Sequence, residues 1–252
     1  MQMSLTFARD KRLPEILTRL RAAWPAPDRP NTDPLSQLVF MVLVSGTPTA
    51  LALAAFQRLR QRCRNWAELR DAPPEMLLPV LRGVDRATDK ATTLPLLMLA
   101  IERRHGVLEL EFLESWSSDQ ALDWLCALPG IDATIAAATL SFSSLRKTVA
   151  TIDQETARPV RRLRLAPEGA PMSALDRHLL EAMPADWTGA ELARLHQGLA
   201  RLADRVCHRG RPDCRACPLN DLCPTGMSQS AQILAFPGKR RRPVQTVLND
   251  AG

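Results

Sequence analysis

Four cysteines near the carboxyl-terminal end constrain the fold of this chain more strongly than any other feature. They follow the spacing C-x6-C-x2-C-x5-C, at Cys207, Cys214, Cys217 and Cys223. Four thiolates within seventeen residues can enclose a structural Zn²⁺ ion or an iron-sulfur cube. The spacing favours metal binding over four free thiols. This region is therefore expected to fold around a metal centre, and the residues alone leave both kinds of centre open.

The amino-terminal residues argue against disulfide bonds between these cysteines. The segment MQMSLTFARDKRLPE has no apolar signal core with a small-residue cleavage site, so export is not expected and the thiols should stay reduced. No apolar run approaches the length needed to cross a bilayer. We therefore expect a cytoplasmic protein without a membrane partner, whose 252 residues can bury the core of one large or two modest domains.

Helical periodicity dominates the chain, and the fold class is predicted to be all-α. Strand-like alternation longer than about four residues is confined to Thr148 to Ile152. A proline-rich stretch at 25–34 indicates a linker, and Asp33 is positioned to cap the helix after it. The predicted helices include Leu13 to Arg21, Leu35 to Ser45, Thr49 to Arg62, Thr88 to Arg104, Leu175 to Met183 and Gly189 to Cys207.

A tight turn at Pro129-Gly130 separates two further predicted helices. Proline fixes φ at the first position, and Gly130 can adopt φ > 0 at the second. The helix that follows, Ala133 to Leu140, consists almost entirely of small residues and should pack closely against a neighbour. Its first backbone N–H groups form a potential phosphate site that would not depend on nucleotide sequence. An ordinary helical hairpin is the alternative.

Asp153 ends the β-branched run and precedes an arginine-rich helix that begins near Gln154. On these residues alone, an N-cap for that helix is the simpler interpretation of the carboxylate.

The charge balance favours an anionic polymer as partner. Lysine and arginine total 33 against 27 acidic residues, a formal net charge of +6, and only four of the 33 are lysine. Arginine suits bidentate phosphate contacts, although GC-rich coding would produce the same bias.

Together, the LPG turn, the acid after TVATI and the four-cysteine spacing resemble the helix-hairpin-helix DNA glycosylases that carry an iron-sulfur cluster, the endonuclease III superfamily. The resemblance covers roughly Leu13 to Cys223. It implies a [4Fe-4S] cluster bound by the four cysteines. It also implies a six-helix barrel domain at 34–144 and an iron-sulfur domain assembled from 1–33 and 145–227. The basic segment at 228–252 is expected to be a disordered tail.

The resemblance assigns roles to individual residues. It makes Asp153 the catalytic carboxylate and DNA the ligand in the groove between the domains. The expected DNA contacts are Val84 in the turn after Arg82, the hairpin residues Gly130, Ile131 and Asp132, and Lys147 before the acid. The expected substrate pocket comprises Ser45, Thr47, Thr134 and Gln154.

Several of these positions depart from the family pattern. Bifunctional members place a lysine where this chain has Thr134, so Schiff-base chemistry is not expected. Asp132 replaces the second glycine of the hairpin; it tolerates φ > 0 but puts a carboxylate near the expected phosphate. Thr47 stands where the family's pocket loop has a glutamine. Gln154 follows the acid, where its amide could bond a base edge or face solvent.

These features predict a monofunctional DNA glycosylase that acts as a monomer on damaged double-stranded DNA, with single-stranded DNA as a further substrate. Adenine-excising relatives carry a large additional domain, whereas 29 residues follow Cys223 here, so uracil or another deaminated base such as hypoxanthine is favoured. The alternatives are a bifunctional glycosylase and lyase for oxidised pyrimidines, an adenine glycosylase, and a DNA-binding protein without catalysis.

Overall fold

Helices make up all the regular secondary structure of residues 9–25 and 32–235, the parts of the chain that this computed structural model describes. The expected all-α class is therefore confirmed for these residues. The α-helices are α1 (Leu13–Ala23), α2 (Pro34–Val44), α3 (Thr49–Arg62), α4 (Trp66–Arg70), α5 (Pro74–Leu77), α6 (Ala87–His105), α7 (Ser118–Cys126), α8 (Ala133–Phe142), α9 (Gln154–Arg162), α10 (Leu175–Ala182), α11 (Gly189–Arg205) and α12 (Pro224–Ala235). Two 3-10 helices, Glu111–Ser115 and Met172–Ala174, complete them.

Helix α2 is the most buried helix of the first half, as its apolar sequence predicts. The side chain of Asp33 accepts a hydrogen bond from the backbone N–H of Ser36 at 2.7 Å, and Pro34 occupies the first helical position. The expected cap is thus confirmed. Helix α2 packs against α3 on one side and α8 on another, and its carboxyl-terminal end points to the loop at Ser45.

The buried apolar side chains form two large clusters that part near residue 150. One cluster runs from Leu35 to Val149 and joins α2 to α8. The other combines α1 with α9, α10, α11 and the cysteine segment, and includes Ala150. This partition follows the expected boundaries at 33/34 and 144/145 closely, although the division into two domains stays a prediction.

The Pro129-Gly130 turn joins α7 to α8 as a helical hairpin, as predicted. Gly130 has φ of +75°, and a Cβ there would lie 2.4 Å from Cγ2 of Thr93 on α6. Any larger residue would therefore clash with the Thr93 side chain and would be strained by the positive φ.

The predicted start of the disordered tail, residue 228, is wrong. Helix α12 continues through Ala235, so residues 228–235 are helical. Residues 236–252, with the basic run from Lys239, lie outside the described residues, as do 1–8 and most of the proline-rich linker, 26–31. Among the helices described, none has the length and apolar character required to traverse a bilayer.

Candidate active site

A cavity of about 630 Å³ lies where α2, α8 and α11 meet the segment that leads into α9. Together these elements line the cavity with polar and apolar side chains. Helix α2 and the loop after it contribute Phe40, Met41 and Ser45; α8 contributes Thr134 and Phe142; and α11 contributes His196 and Gln197. The volume lies within the range of about 300–1,000 Å³ that is usual for small-ligand sites.

Asp153 lines this cavity and is also the N-cap of α9. Its Oδ1 accepts hydrogen bonds from the backbone N–H groups of Glu155 (3.0 Å) and Thr156 (2.7 Å) and from the Thr156 hydroxyl (2.7 Å). The Thr156 hydroxyl oxygen in turn accepts from the Asp153 backbone N–H at 3.0 Å, completing a reciprocal cap. The carboxylate is thus held in one orientation while it remains exposed at the cavity. The capping role suggested by the sequence and a role in the cavity are compatible.

The extended segment before Asp153 directs two side chains into the cavity. Because side chains alternate along extended backbone, Thr151 and Asp153 both line the cavity, whereas Ile152 between them is buried in the second core cluster. The backbone N–H of Ile152 donates to Oδ1 of Asp176 at 2.7 Å. Burial raises the pKa of Asp176, and the hydrogen bond from Ile152 opposes that shift. Asp176 therefore anchors the segment that presents the acid.

Asp132 and Thr134 reach the cavity from the first turn of α8. Asp132 does not use the φ > 0 that this position tolerates: its φ is −92°, and it is the N-cap of α8. Its Oδ1 accepts the backbone N–H of Ile135 at 2.8 Å. The backbone N–H of Ile135, one of the groups expected to face phosphate, is therefore already hydrogen-bonded within the protein. Ile131 is buried, and its N–H donates to the Leu128 carbonyl.

Three predicted site residues form hydrogen bonds to other parts of the protein and lie outside the cavity wall. Thr47 is buried, does not line the cavity, and accepts the backbone N–H of Asp85 at 2.9 Å. Val84 is buried in the first core cluster, and its N–H donates to the Leu81 carbonyl at 3.0 Å. Lys147 donates to the carbonyls of Glu114 (2.7 Å) and Trp116 (2.6 Å). Their expected pocket or DNA contacts therefore lack support from the structure.

Gln154 also falls outside the cavity wall. It is exposed at the first position of α9, next to Asp153. Of the four residues predicted for the substrate pocket, Ser45 and Thr134 line this cavity and Thr47 and Gln154 do not; their contact with a substrate stays a prediction.

A buried lysine on α6 holds the loop that carries Ser45. Nζ of Lys90 donates to the Ser45 carbonyl at 2.6 Å and lies 3.3 Å from the carbonyl oxygen of Leu43. Burial lowers the pKa of this amine. Lys90 thus satisfies carbonyl groups at the end of α2 and fixes one rim of the cavity.

Sequence reasoning missed the wall that α11 provides. His196, Gln197, Ala200 and Arg201 all line the cavity. Their spacing places them on one face of an amphipathic helix, so helical periodicity could have identified the face. It could not have shown that α11 packs across α8, which depends on the tertiary fold.

The four cysteines of the metal motif line one cavity beside α9 and α11. Its other walls are largely apolar, and Nη1 of Arg162 donates to the Cys207 sulfur at 3.1 Å. Burial raises the pKa of the Cys217 thiol to about 11 and also raises that of Cys214. In the part of the chain that the structure describes, no group of three or more His, Cys, Asp or Glu side chains is placed to hold a metal ion. Four thiols around a shared apolar cavity, with an N–H donor to one sulfur, nevertheless form a donor set that fits an iron-sulfur cluster.

Comparison with known protein sequences finds a distant relative in rice. Protein ROS1A of Oryza sativa subsp. japonica is 24% identical in an alignment of 196 residues that covers 72% of this chain. This chain spans about a tenth of the length of that protein. No family model matches the sequence.

Solved structures resemble the chain over most of its length. A trapped covalent intermediate of endonuclease III with DNA has a TM-score of 0.69 and 20% identity, covering 87% of this chain and 97% of its own. A thermostable thymine-DNA glycosylase has a TM-score of 0.70 and 16% identity, covering 86% and 98%. The Helicobacter pylori 3-methyladenine DNA glycosylase bound to 1,N6-ethenoadenine has a TM-score of 0.62 and 19% identity, covering 77% and 97%. The chain thus has the endonuclease III helix-hairpin-helix glycosylase fold.

Proposed function

We propose that this protein is a monofunctional DNA glycosylase that hydrolyses the N-glycosidic bond of a base flipped into the 630 Å³ cavity. One observation carries the proposal: the capped carboxylate of Asp153 lines the cavity, and the wall contributed by α8 has Thr134 rather than a lysine. The similarity to solved DNA glycosylases and the basic net charge of the chain support it.

Asp153 carries the chemistry in this proposal. A glycosylase must take its target base out of the stack and stabilise positive charge on the sugar as the base departs. A carboxylate fixed beside the sugar stabilises that charge and accepts a proton from the attacking water. Because the α9 cap already orients Asp153, little reorganisation is needed when the sugar arrives.

Water rather than an amine completes the reaction, since the described wall of the cavity includes no lysine. The amine of Lys90 donates to the Ser45 carbonyl at the rim of the cavity, and the amine of Lys147 donates to the carbonyls of Glu114 and Trp116. An amine would attack the sugar and form a Schiff base, which leads to strand cleavage. Base release without strand cleavage is therefore the expected activity.

Uracil and other deaminated bases such as hypoxanthine are the proposed substrates. Deamination replaces an exocyclic amino donor with a keto acceptor, and the cavity wall offers Ser45, Thr151, His196 and Gln197 as groups that can donate to such an oxygen. Phe40, Met41 and Phe142 supply apolar surface for the base itself.

We also propose that Cys207, Cys214, Cys217 and Cys223 hold a [4Fe-4S] cluster. When bound, the cluster would cross-link the segment that contains its ligands. Hydrogen bonds from α9 hold this cysteine segment in place without the cluster. Arg162 donates to the Cys207 sulfur and to the His208 carbonyl, and Arg158 donates to the Cys207 carbonyl. Visible absorbance and an iron-to-zinc assay of purified protein test this assignment, and a colourless zinc-loaded protein would refute it.

Damaged double-stranded DNA is the proposed partner, bound by a monomer in the cytoplasm. The basic net charge supports this, and affinity should fall steeply with salt because phosphate contacts release counterions.

A base-release assay tests the function. The substrates are oligonucleotides carrying uracil, hypoxanthine, thymine mismatches, oxidised pyrimidines, or adenine opposite oxidised guanine, with borohydride added in parallel. Release of a deaminated base without a trapped protein-DNA adduct supports the proposal. A trapped adduct would indicate a lyase, and no release from any substrate would favour a DNA-binding protein without catalysis.

A further inference from the structure

We infer that His196 is the residue that selects the excised base, by donating a hydrogen bond from Nε2 to a keto oxygen. The inference rests on the proposed glycosylase function and adds to it the group that recognises the base. Deaminated bases present this oxygen where their parent bases present an amino group, so a fixed donor distinguishes the two classes.

Two contacts position the imidazole in the cavity wall. Its ring centroid lies 5.0 Å from that of Phe142, with the planes inclined at 51°. Its Nδ1 lies 3.5 Å from the hydroxyl oxygen of Thr151. The ring is therefore packed against α8 on one side and the segment before α9 on the other.

As part of the same proposal, we take the Thr151 hydroxyl as the donor to Nδ1 across their 3.5 Å contact. When the Thr151 hydroxyl donates to Nδ1, the neutral imidazole carries its proton on Nε2. Nε2 is then a donor in both the neutral and the protonated ring, and it pairs with a keto oxygen but not with an amino group. Thr151 thus acts through His196 as a positioning residue.

The segment from Thr151 to Asp153 carries both the residue that positions His196 and the proposed catalytic carboxylate. Thr151 and Asp153 lie two residues apart on extended backbone and both line the cavity. A base whose sugar lies beside Asp153 extends into the cavity toward the wall that holds His196. The acid and the proposed base-reading residue are consequently positioned by one short stretch of chain.

The neighbouring polar residues on α11 are less suited to this selection. Nη1 of Arg201 donates to the Trp24 carbonyl at 2.8 Å, which directs that guanidinium toward α1. Gln197 has both donors and an acceptor on a rotatable amide, so it can pair with a keto or an amino edge. Among these residues, His196 is the one whose ring packs between α8 and the segment before α9, and in the proposed tautomer it presents a donor.

Single-turnover release rates from keto and amino bases test the inference. The variant His196→Phe keeps an aromatic ring against Phe142 and removes both nitrogens; His178→Phe on α10, away from the cavity, is the matched control. We expect His196→Phe to slow release of uracil and hypoxanthine by at least about tenfold relative to any amino-bearing base released, and the control to leave the ratio unchanged. DNA affinity and melting temperature establish that each variant is folded.

Thr151→Val provides a second, nearly isosteric variant for the case in which His196→Phe does not fold. It removes the hydroxyl that positions the imidazole proton, and we expect the same loss of preference for keto bases, with DNA affinity retained. An unchanged keto-to-amino ratio in the folded variants, or an equal slowing of all bases, overturns the inference while the glycosylase proposal stands. If the wild-type protein releases no base from any substrate, the proposed function itself fails.

Discussion

Thr134 and Asp153 line the same cavity from two different helices, Thr134 in the first turn of α8 and Asp153 as the cap of α9. The acid proposed for catalysis therefore has a hydroxyl, rather than an amine, as its companion on α8. This pairing is the basis for expecting hydrolysis without strand cleavage.

Introducing an amine at that point should change the reaction. In Thr134→Lys, the new side chain extends into the cavity that Asp153 lines, where its amine can attack the sugar of a flipped nucleotide. We expect borohydride to trap a covalent protein-DNA adduct with this variant and not with the wild type. Ala133→Lys, on the preceding residue outside the cavity wall, is the control. If both lysine variants are trapped equally, Thr134 does not face the sugar.

Removing the charge of Asp132 should strengthen DNA binding. Its carboxylate caps α8 beside the expected phosphate, and two like unit charges about 4 Å apart in water repel by ~1 kcal/mol, which corresponds to about fivefold in affinity. Asparagine is an equally good cap, so Asp132→Asn should bind DNA about fivefold more tightly at low salt with unchanged melting temperature. Asp132→Ala should gain affinity and lose ~1 kcal/mol of stability. Unchanged affinity in titrations with both variants would show that no phosphate approaches the hairpin.

Much of the architecture follows from local sequence signals. Asp33 with Pro34 predicts the start of α2, and Pro129-Gly130 predicts the hairpin, because capping and turn geometry depend on a few adjacent residues. The role of Asp153 could be predicted only in part. Its cap follows from the helix after it, whereas its position at a cavity depends on how α2, α8 and α11 pack.

Site residues whose orientation depends on distant partners could not be predicted. Thr47 turns inward because its hydroxyl accepts the Asp85 backbone N–H, and Lys147 turns toward the carbonyl at Trp116. His196 reaches the cavity only because α11 packs on α8. None of these partners is adjacent in sequence, so neither periodicity nor motif spacing identifies them.

Removing Arg162 should weaken the proposed cluster. Its guanidinium donates to the Cys207 sulfur at 3.1 Å and to the carbonyls of His208 (2.9 Å) and Arg209 (3.2 Å). We expect Arg162→Met to contain less iron per chain and to lose it faster to a chelator, because the cysteine segment loses the three hydrogen bonds from this guanidinium. Arg161→Met removes a neighbouring arginine that donates to Ala170 instead, and should retain iron as the wild type does. Equal iron loss from both variants would contradict this role.

Asp176 should make stability depend on pH in a defined direction. Burial raises its pKa in the folded protein above the value of about 3.9 expected in the unfolded chain, so the folded state binds the proton more tightly. The contribution of this group to the free energy of unfolding is therefore greatest below about pH 3.9 and decreases as pH rises through the raised pKa. Asp176→Asn keeps an acceptor for the Ile152 N–H without ionising. Its stability relative to the wild type should rise with pH across this window in denaturant titrations, and a constant difference would refute the assignment.

The most direct test of the proposed active site is the rate of uracil release from duplex DNA by the wild type and by Asp153→Asn. Asparagine can still cap α9, so the variant should remain folded and bind the duplex at least as tightly as the wild type. Because the carboxylate is proposed to stabilise the sugar cation and activate water, we predict that release slows by at least about 100-fold. Release by Asp153→Asn at the wild-type rate would contradict the assignment of Asp153 as the catalytic carboxylate.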